Sequence, residues 1–154
     1  MTDVADLAAT VAEGFETYRR WAPRGWDPPA PMIQLAGIRD RLTDHGVVCL
    51  LAEGRDGEPA GHVEYLPARD ERGVAHLLML FVRERWWGTG LASDLLRLAT
   101  DGARGEGYGS MRLNTPAEHV RARRFYEREG WHVASAASYE PSLGLTLVTY
   151  RRSL

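Results

Sequence analysis

The chain has 154 residues, 44% of them hydrophobic and 26% charged, and a formal net charge of −2. These values are typical of a single soluble globular domain with its own core. The near-neutral charge argues against a nucleic-acid binder, whose surface would be strongly basic. All nineteen cationic residues are arginine, which excludes a P-loop lysine, a Schiff-base lysine and a pyridoxal attachment.

The cysteine content and the N-terminus bear on the cellular compartment. Cys49 is the single cysteine, so an internal disulfide and a thiolate zinc site are both excluded. Residues 1–6 are acidic and lack the basic start and apolar run of a signal peptide. No window approaches the ~18 apolar residues of a membrane span. We therefore expect a cytoplasmic protein with no membrane partner, no nucleic-acid partner and no metal.

Helices are predicted in the N-terminal part of the chain. Apolar residues recur at helical spacing over 4–18, and a second helix is predicted over 32–44. The segment 20–31 between them contains four prolines and a glycine, which are incompatible with regular structure. Trp21 and Trp26 lie in that segment, and we expect their rings either to line a pocket or to cover the sheet.

Strands are predicted next along the chain. The segments 47–53 and 60–66 flank a turn at 55–57 and are typical of a β-hairpin. The unbroken apolar run 74–82 requires cover on both faces, which predicts a central strand. A third helix should begin near Gly90 and end among the glycines that follow residue 101.

The last third of the chain continues this alternation with a short strand over 110–114. A pattern typical of a helix start follows, with Thr115 as the N-cap, and predicts a helix to Glu129. Strands at 131–138 and 143–151 close the chain. The element order predicts an α/β fold with a mixed sheet and one crossover around the third helix.

The junction between the central strand and the third helix is the most informative segment. Gly88 and Gly90 lie there, and they allow the backbone to approach a ligand without a Cβ in the way. Free N–H groups and the positive end of the helix dipole favour an anion such as pyrophosphate, and an ordinary turn is the alternative. A dinucleotide is disfavoured because residues 108–112 supply no acidic side chain.

Three segments in this order resemble the GNAT superfamily of N-acetyltransferases: Phe81-Val82, the loop 88–92 and the run 122–131. The resemblance implies an α/β (α+β) fold, with a mixed, mostly antiparallel central sheet, splayed strands and flanking helices. It also implies one domain over 1–154. Residues 1–45 would form its helical acceptor-side region and residues 47–151 its acetyl-CoA-binding core.

The same resemblance implies acetyl-CoA as the co-substrate, with no metal. Its pantetheine arm would pair with the backbone of Leu80, Phe81 and Val82 like an added strand. The pyrophosphate would bind the loop, which makes the cofactor-binding residues there Gly88, Thr89, Gly90, Leu91 and Ala92.

Two positions depart from the family's usual residues. Trp87 stands where the family usually has arginine or glutamine, and His119 where it usually has asparagine. We include both in the predicted cofactor site, together with Arg123. That arginine belongs to a helix face that either contacts the CoA phosphates or is simply solvated.

Acetyl transfer to an amine requires a proton acceptor, an oxyanion donor and a proton for the leaving thiolate. The resemblance assigns the last role to Tyr126, which is protonated at pH 7. His76 and Glu64 are the candidate bases, and deprotonation through water is the alternative. Strand alternation predicts that His76 lies on the side that carries Leu78, Leu80 and Val82.

The sequence thus predicts an acetyl-CoA-dependent N-acetyltransferase that acetylates a primary amine by direct attack in a ternary complex. A ping-pong route is disfavoured because Cys49 lies in a predicted core strand. The acceptor would be a small-molecule or peptide amine. The sequence does not indicate the oligomeric state, but the resemblance is compatible with a homodimer, since the C-terminal strands of such folds often pair across dimers. Two alternatives stay open: a non-catalytic acyl-CoA-binding sensor or partner module, and a phosphate-binding domain for another nucleotide.

Overall fold

The computed structural model describes residues 4–44 and 46–154, with side chains for all of these except 31–34. The elements in chain order are α1 (Val4–Tyr18), α2 (Pro31–Leu42), β1 (Val48–Glu53), β2 (Pro59–Pro67), β3 (Val74–Val82), a 3₁₀ turn (Glu84–Trp86), α3 (Leu91–Gly105), β4 (Ser110–Pro116), α4 (Val120–Arg128), β5 (His132–Val133), β6 (Ser138–Glu140) and β7 (Leu145–Ser153). The predicted helix 4–18 and strand 74–82 are confirmed at both ends.

The strands form one sheet in the order β1-β2-β3-β4-β7-β5, and β6 also pairs with β7. All paired strands are antiparallel except β3 and β4, which are parallel. Parallel neighbours cannot be joined by a tight turn, and α3 supplies the crossover between them. The structure therefore confirms a mixed, mostly antiparallel sheet with one crossover around the third helix.

Helices cover both faces of this sheet. On one face α3 buries Leu95, Leu96 and Ala99 in a cluster with residues of β2, β3 and β4. On the other face α1 contributes Leu7 and Val11 to a second cluster, next to α2. β3 contributes side chains to both clusters, which explains why every residue of the strand except His76 is apolar. No helix among the described residues is long and apolar enough to cross a membrane.

A β-bulge at Leu78 interrupts the pairing of β2 with β3. Glu64 pairs with Met79, but the next residue, Tyr65, pairs with Leu77, so Leu78 has no partner on β2. Because side chains alternate along a strand, one extra residue exchanges the faces to which the following side chains point.

The bulge makes the predicted side of His76 wrong. The residues of β3 that pack against α3 are Ala75 and Leu77 before the bulge, and Leu80 and Val82 after it. His76 lies between the first two and therefore faces the side of α1, opposite to Leu80 and Val82.

β3 and β4 separate beyond their first four residues. Their pairing runs from Val74–Ser110 to Leu77–Leu113 and stops there, although both strands continue. Along a strand, the backbone groups of successive residues point to opposite neighbours. The N–H of Ala117 donates to the carbonyl of Thr146 on the β7 side, so the backbone of the preceding residue, Pro116, points toward the gap. Proline has no N–H to leave unpaired at that edge, and the sequence thus favours the opening.

The predicted start of α4 is wrong. Thr115 pairs with Val148 and Pro116 with Leu147, so both belong to β4, and the helix begins at Val120 with His119 as its N-cap. The predicted closing strand 131–138 is also interrupted. Its place is taken by β5 and β6, two short strands that both pair with β7.

Candidate active site

A cleft of about 1070 Å³ opens where β3 and β4 separate. The loop before α3 and the helix α4 line one end of it, which we call the donor end. Helix α1 and the turn between β6 and β7 line the other end, which we call the acceptor end. The gap in the sheet connects the two ends, so groups bound on opposite faces of the sheet meet there.

The donor end contains a loop of free backbone N–H groups. Gly88 and Gly90 have φ values of 78° and 91°, a left-handed conformation that favours glycine. The N–H groups of both glycines, and those of Ala92 and Ser93, have no acceptor among the described residues. No side chain caps the N-terminus of α3, so these groups and the helix dipole face open space, as an anion site requires.

Thr89 lies in this loop but not in the wall of the cleft. Its hydroxyl donates a 2.7 Å hydrogen bond to the carbonyl of Trp86 and accepts a weak one from Leu91 N–H. The side chain stabilises the turn, and the Thr89 N–H itself donates to the Trp86 carbonyl at 3.4 Å. The cofactor contact of Thr89 stays a prediction.

Trp87 connects the end of β3 to α4. Its indole N–H donates a 2.8 Å hydrogen bond to the carbonyl of Val82, and the guanidinium of Arg121 lies 3.7 Å from the ring centroid. The N–H of Arg83 donates to the carbonyl of Ala60 on the β2 side. Since successive residues of a strand point their backbone groups to opposite sides, those of the preceding residue, Val82, point to the gap. Trp87 therefore uses a carbonyl on the open edge of β3.

The arginines of α4 divide between two faces. Arg121, Arg124 and Arg128 line the donor end, since they recur at helical spacing. Arg123 lies on another face and donates to the Tyr150 hydroxyl at 3.1 Å and to a backbone carbonyl at 3.2 Å. Arg123 therefore does not line the cleft, unlike its three neighbours, and its cofactor contact stays a prediction.

His119 is held in place by aromatic neighbours. Its Nδ1 accepts a hydrogen bond from Ala122 N–H at 3.4 Å, and its ring stacks on Trp21 at 4.4 Å. Burial, reinforced by Arg121, lowers the pKa of His119 to about 4. The imidazole is neutral at pH 7, caps α4 and lines the cleft. Trp21 thus supports the wall of the cleft and is not itself part of it.

Tyr126 belongs to α4 and lines the cleft, near enough to Tyr18 of α1 for the two hydroxyls to interact electrostatically. Its side chain is only 8% exposed, and its ring contacts Phe125, Trp131 and Tyr150. The hydroxyl has no hydrogen-bond partner among the described residues, and the side chain lines the cleft. Burial raises the pKa of Tyr126, so the phenol is protonated at every physiological pH.

The two predicted bases differ in location. Glu64 is 4% exposed, and its carboxylate accepts hydrogen bonds from Arg41 of α2. It does not line the cleft. An ion-paired carboxylate outside the cleft has no access to an acceptor amine, so the prediction of Glu64 as the base is not supported.

His76 does line the cleft, and its Nδ1 is buried without a partner among the described residues. Burial, with a smaller contribution from Arg112, lowers the pKa of His76, and Asp70 opposes this effect. The imidazole is therefore neutral at pH 7, which is a requirement for a proton acceptor.

The sequence did not indicate the residues of the acceptor end. Phe15 and Tyr18 have the spacing of an ordinary core-facing helix, yet both line the cleft. Glu140, the last residue of β6, and Ser142, in the turn that follows, also line it. The described residues hold no group of three histidine, cysteine, aspartate or glutamate side chains that would bind a metal ion.

Comparison with known proteins identifies the family. Residues 12–131 match the Acetyltransferase (GNAT) family. The chain therefore belongs to the GNAT family of acetyltransferases, and the resemblance seen in the sequence is confirmed. Comparison with curated proteins finds no match.

Solved structures share the fold at low sequence identity. A GCN5-related N-acetyltransferase from Kribbella flavida matches with a TM-score of 0.75 and 20% identity, over 99% of this chain and 95% of that one. An acetyltransferase from Thermus thermophilus matches with a TM-score of 0.73 and 21% identity, over 99% and 94%. PaiA N-acetyltransferase from Thermoplasma acidophilum, in complex with coenzyme A, has a TM-score of 0.72 and 16% identity, over 99% and 93%.

Proposed function

We propose that this protein is an acetyl-CoA-dependent N-acetyltransferase that acetylates a primary amine by direct attack in a ternary complex. The observation that carries the proposal is the Tyr126 phenol, which lies in the cleft between separated strands without a hydrogen bond to a described residue. A phenol that burial keeps protonated is suited to supply the proton that a leaving thiolate needs.

The donor end fits coenzyme A in three respects. The free N–H groups of the loop, among them Gly88 and Gly90, would bind the pyrophosphate. Arg121, Arg124 and Arg128 would bind the remaining phosphate charge. The open edge of β3 at Leu80–Val82 would pair with the amides of the pantetheine arm. A structural relative solved in complex with coenzyme A supports the use of the same group here.

Bound acetyl-CoA would supply an activated acyl group in the form of a thioester. The backbone N–H of Leu80 lies on the open edge of β3 and would donate to the carbonyl oxygen as negative charge develops there. Tyr126 would transfer its proton to the sulfur while the carbon–sulfur bond breaks and the carbon–nitrogen bond forms. A bound ammonium loses two protons in all: the first leaves to a base and then to solvent, which makes the nitrogen nucleophilic, and the second leaves as the carbon–nitrogen bond forms and restores the phenol through water.

His76 is the side chain that we assign as the first acceptor of the amine proton. It lines the cleft, is neutral at pH 7 and has an unpartnered nitrogen. It lies two residues before the bulge that opens the strand, on the face of the sheet where the acceptor end lies. Glu64 is not part of this mechanism because Arg41 already neutralises it.

Two measurements test the function. Calorimetry reports whether coenzyme A binds, and a chromogenic disulfide reports thiol released from acetyl-CoA in the presence of a panel of amines. If the protein transfers the acetyl group, coenzyme A should bind and thiol should be released from acetyl-CoA only when an amine is present. Binding without release from any amine would identify the alternative, a non-catalytic acyl-CoA-binding module. The absence of binding would overturn both functions.

A further inference from the structure

We infer that the acceptor is an amine with a single positive charge and an apolar, preferably aromatic, body, which Glu140 recognises by its charge. The inference rests on the proposed function because it names the substrate of the same cleft. It is carried by a different end of that cleft, chiefly by Glu140, Phe15 and Tyr18, which have no part in binding the donor.

The charges that line the cleft are separated by sign. Its cationic side chains are Arg121, Arg124 and Arg128, which all belong to α4 at the donor end. Glu140 is the one carboxylate among the described residues of the wall, and it lies at the acceptor end. The donor end therefore favours anions, and the acceptor end favours a cation.

Glu140 is held as a free, ionised carboxylate. Its Oε1 accepts hydrogen bonds from the Ser142 hydroxyl at 2.7 Å and from Ser142 N–H at 3.1 Å. These bonds lower the pKa of Glu140. Its Oε2 has no partner among the described residues. By contrast, Glu64, Glu71 and Glu84 each pair with an arginine.

The turn that follows Glu140 is fixed to the helical region. The N–H of Gly144 donates to the Glu140 carbonyl at 2.9 Å, and Gly144 has a φ of 65°. The indole of Trp26 donates to the carbonyl of Leu143 at 2.7 Å. The carboxylate therefore has a defined position before a ligand binds, which reduces the entropy lost on binding.

The remaining wall of the acceptor end is largely apolar and aromatic. Phe15, Tyr18 and Phe81 line it and contact one another, with ring centroids 5.3 to 6.1 Å apart. Trp21 and Trp26 pack against Tyr18 from behind. Aromatic faces attract an ammonium ion and also bury an apolar or aromatic body.

This composition discriminates between classes of amine. An acidic amino acid would place its carboxylates next to Glu140, with no described cation in the wall at that end to pair with them. A polyamine has several ammonium groups, of which one carboxylate compensates only one. A monoamine with an aromatic body pairs its single ammonium group with the Glu140 carboxylate and packs its ring against the aromatic wall.

The test measures binding and turnover separately. Calorimetry of CoA-loaded protein compares phenethylamine with its neutral analogue 2-phenylethanol, and with spermidine and glutamate. We expect phenethylamine to bind at least tenfold more tightly than each of the others. The Glu140→Gln variant should remove the difference between phenethylamine and 2-phenylethanol, whereas Glu140→Asp, which keeps the charge, should retain part of it.

The matched control is Glu53→Gln, which removes an exposed carboxylate at the end of β1, outside this cleft, and should bind like the wild type. Tighter binding of spermidine or glutamate, or undiminished binding of phenethylamine to Glu140→Gln, would overturn the inference. Glu140-dependent binding of phenethylamine without thiol release with any amine of the panel would leave amine recognition by Glu140 in place but overturn the transferase function, and with it the role of the amine as acceptor. With turnover, Glu140→Gln should raise KM for phenethylamine at least tenfold and leave KM for acetyl-CoA unchanged.

Discussion

The indole N–H of Trp87 donates to the carbonyl of Val82, on the one edge of β3 that the sheet leaves open. Arg121 lies over the same ring, so a single side chain links the end of β3 to the first turn of α4. In the proposed complex the pantetheine arm pairs with this edge of β3. The protein's own tryptophan thus occupies a backbone acceptor that the donor needs.

Replacing Trp87 should therefore change donor affinity in a specific direction. Trp87→Phe keeps an aromatic ring for Arg121 but removes the N–H that bonds Val82. A neutral hydrogen bond contributes about 1 kcal/mol net, which corresponds to roughly a fivefold decrease in the Kd of coenzyme A. Calorimetric titration measures this value, and weaker or unchanged binding would show that the donor does not use the Val82 carbonyl.

Tyr126→Phe isolates the role of the phenol. The ring packs against Trp131 and Tyr150, and the hydroxyl has no described partner, so the variant should fold normally. Removal of a general acid lowers turnover by roughly 10²-fold or more, and we expect a decrease in kcat of at least tenfold with unchanged binding of coenzyme A.

Tyr108→Phe is the control for that experiment, because Tyr108 packs at the far end of α3 against the same core and does not line the cleft. Its kcat should equal that of the wild type. Equal turnover in Tyr126→Phe and Tyr108→Phe would remove Tyr126 from the mechanism.

The pH dependence of kcat/KM should report on His76. A proton acceptor must be neutral, and burial lowers the pKa of His76 below its ordinary value of 6.5. Activity should therefore fall only as the pH drops below that value. Tyr126 causes no loss on the alkaline side because its pKa is raised above 10.0.

Two variants check this assignment. His76→Gln should abolish the acidic limb of the profile, and Asp70→Asn should move the limb to lower pH, because Asp70 favours the protonated imidazole and Arg112 disfavours it. Glu64→Gln, whose carboxylate lies outside the cleft, should keep the limb in place. A limb that persists in His76→Gln would assign the proton to water instead.

Local sequence signals predicted the elements that have a clear apolar pattern of their own. The bounds of α1 and β3 follow from uninterrupted apolar patterns, and the loop glycines lie before α3 as expected. The pattern at 115–118 resembles a helix N-terminus, but residues 115 and 116 pair with β7. That pairing depends on residues about 30 positions later in the chain, so a local capping pattern does not reveal it.

The candidate site likewise contains residues that local motifs predict and residues that only the folded chain brings together. Tyr126 and the loop glycines line the cleft as their motifs predict. The side of His76 was predicted wrongly because the bulge at Leu78 leaves no mark in an apolar strand. Glu140 was not identified because its importance arises only when the turn between β6 and β7 meets α1 across the gap.

The close packing of α1 against Phe81, which lines the acceptor end, depends on a glycine of α1. A Cβ added at Gly14 would lie 2.2 Å from the ring of Phe81, and that ring is also held by Phe15 and His62. Gly14→Ala gains about 1 kcal/mol of helix propensity, but overpacking a filled core costs about 1–3 kcal/mol. We therefore expect net destabilisation, together with an increased KM for the amine because Phe81 lines the cleft.

Gly105→Ala provides the matched comparison. Gly105 is the last residue of α3, and an added Cβ there meets nothing within 4 Å. This variant should gain about 0.5–1 kcal/mol of stability, since alanine restricts the unfolded chain without strain in the folded one. Urea unfolding of the two variants gives both values. If Gly14→Ala were stabilised as much as Gly105→Ala, Phe81 would be free to move, and the rigid aromatic wall on which amine recognition depends would not exist.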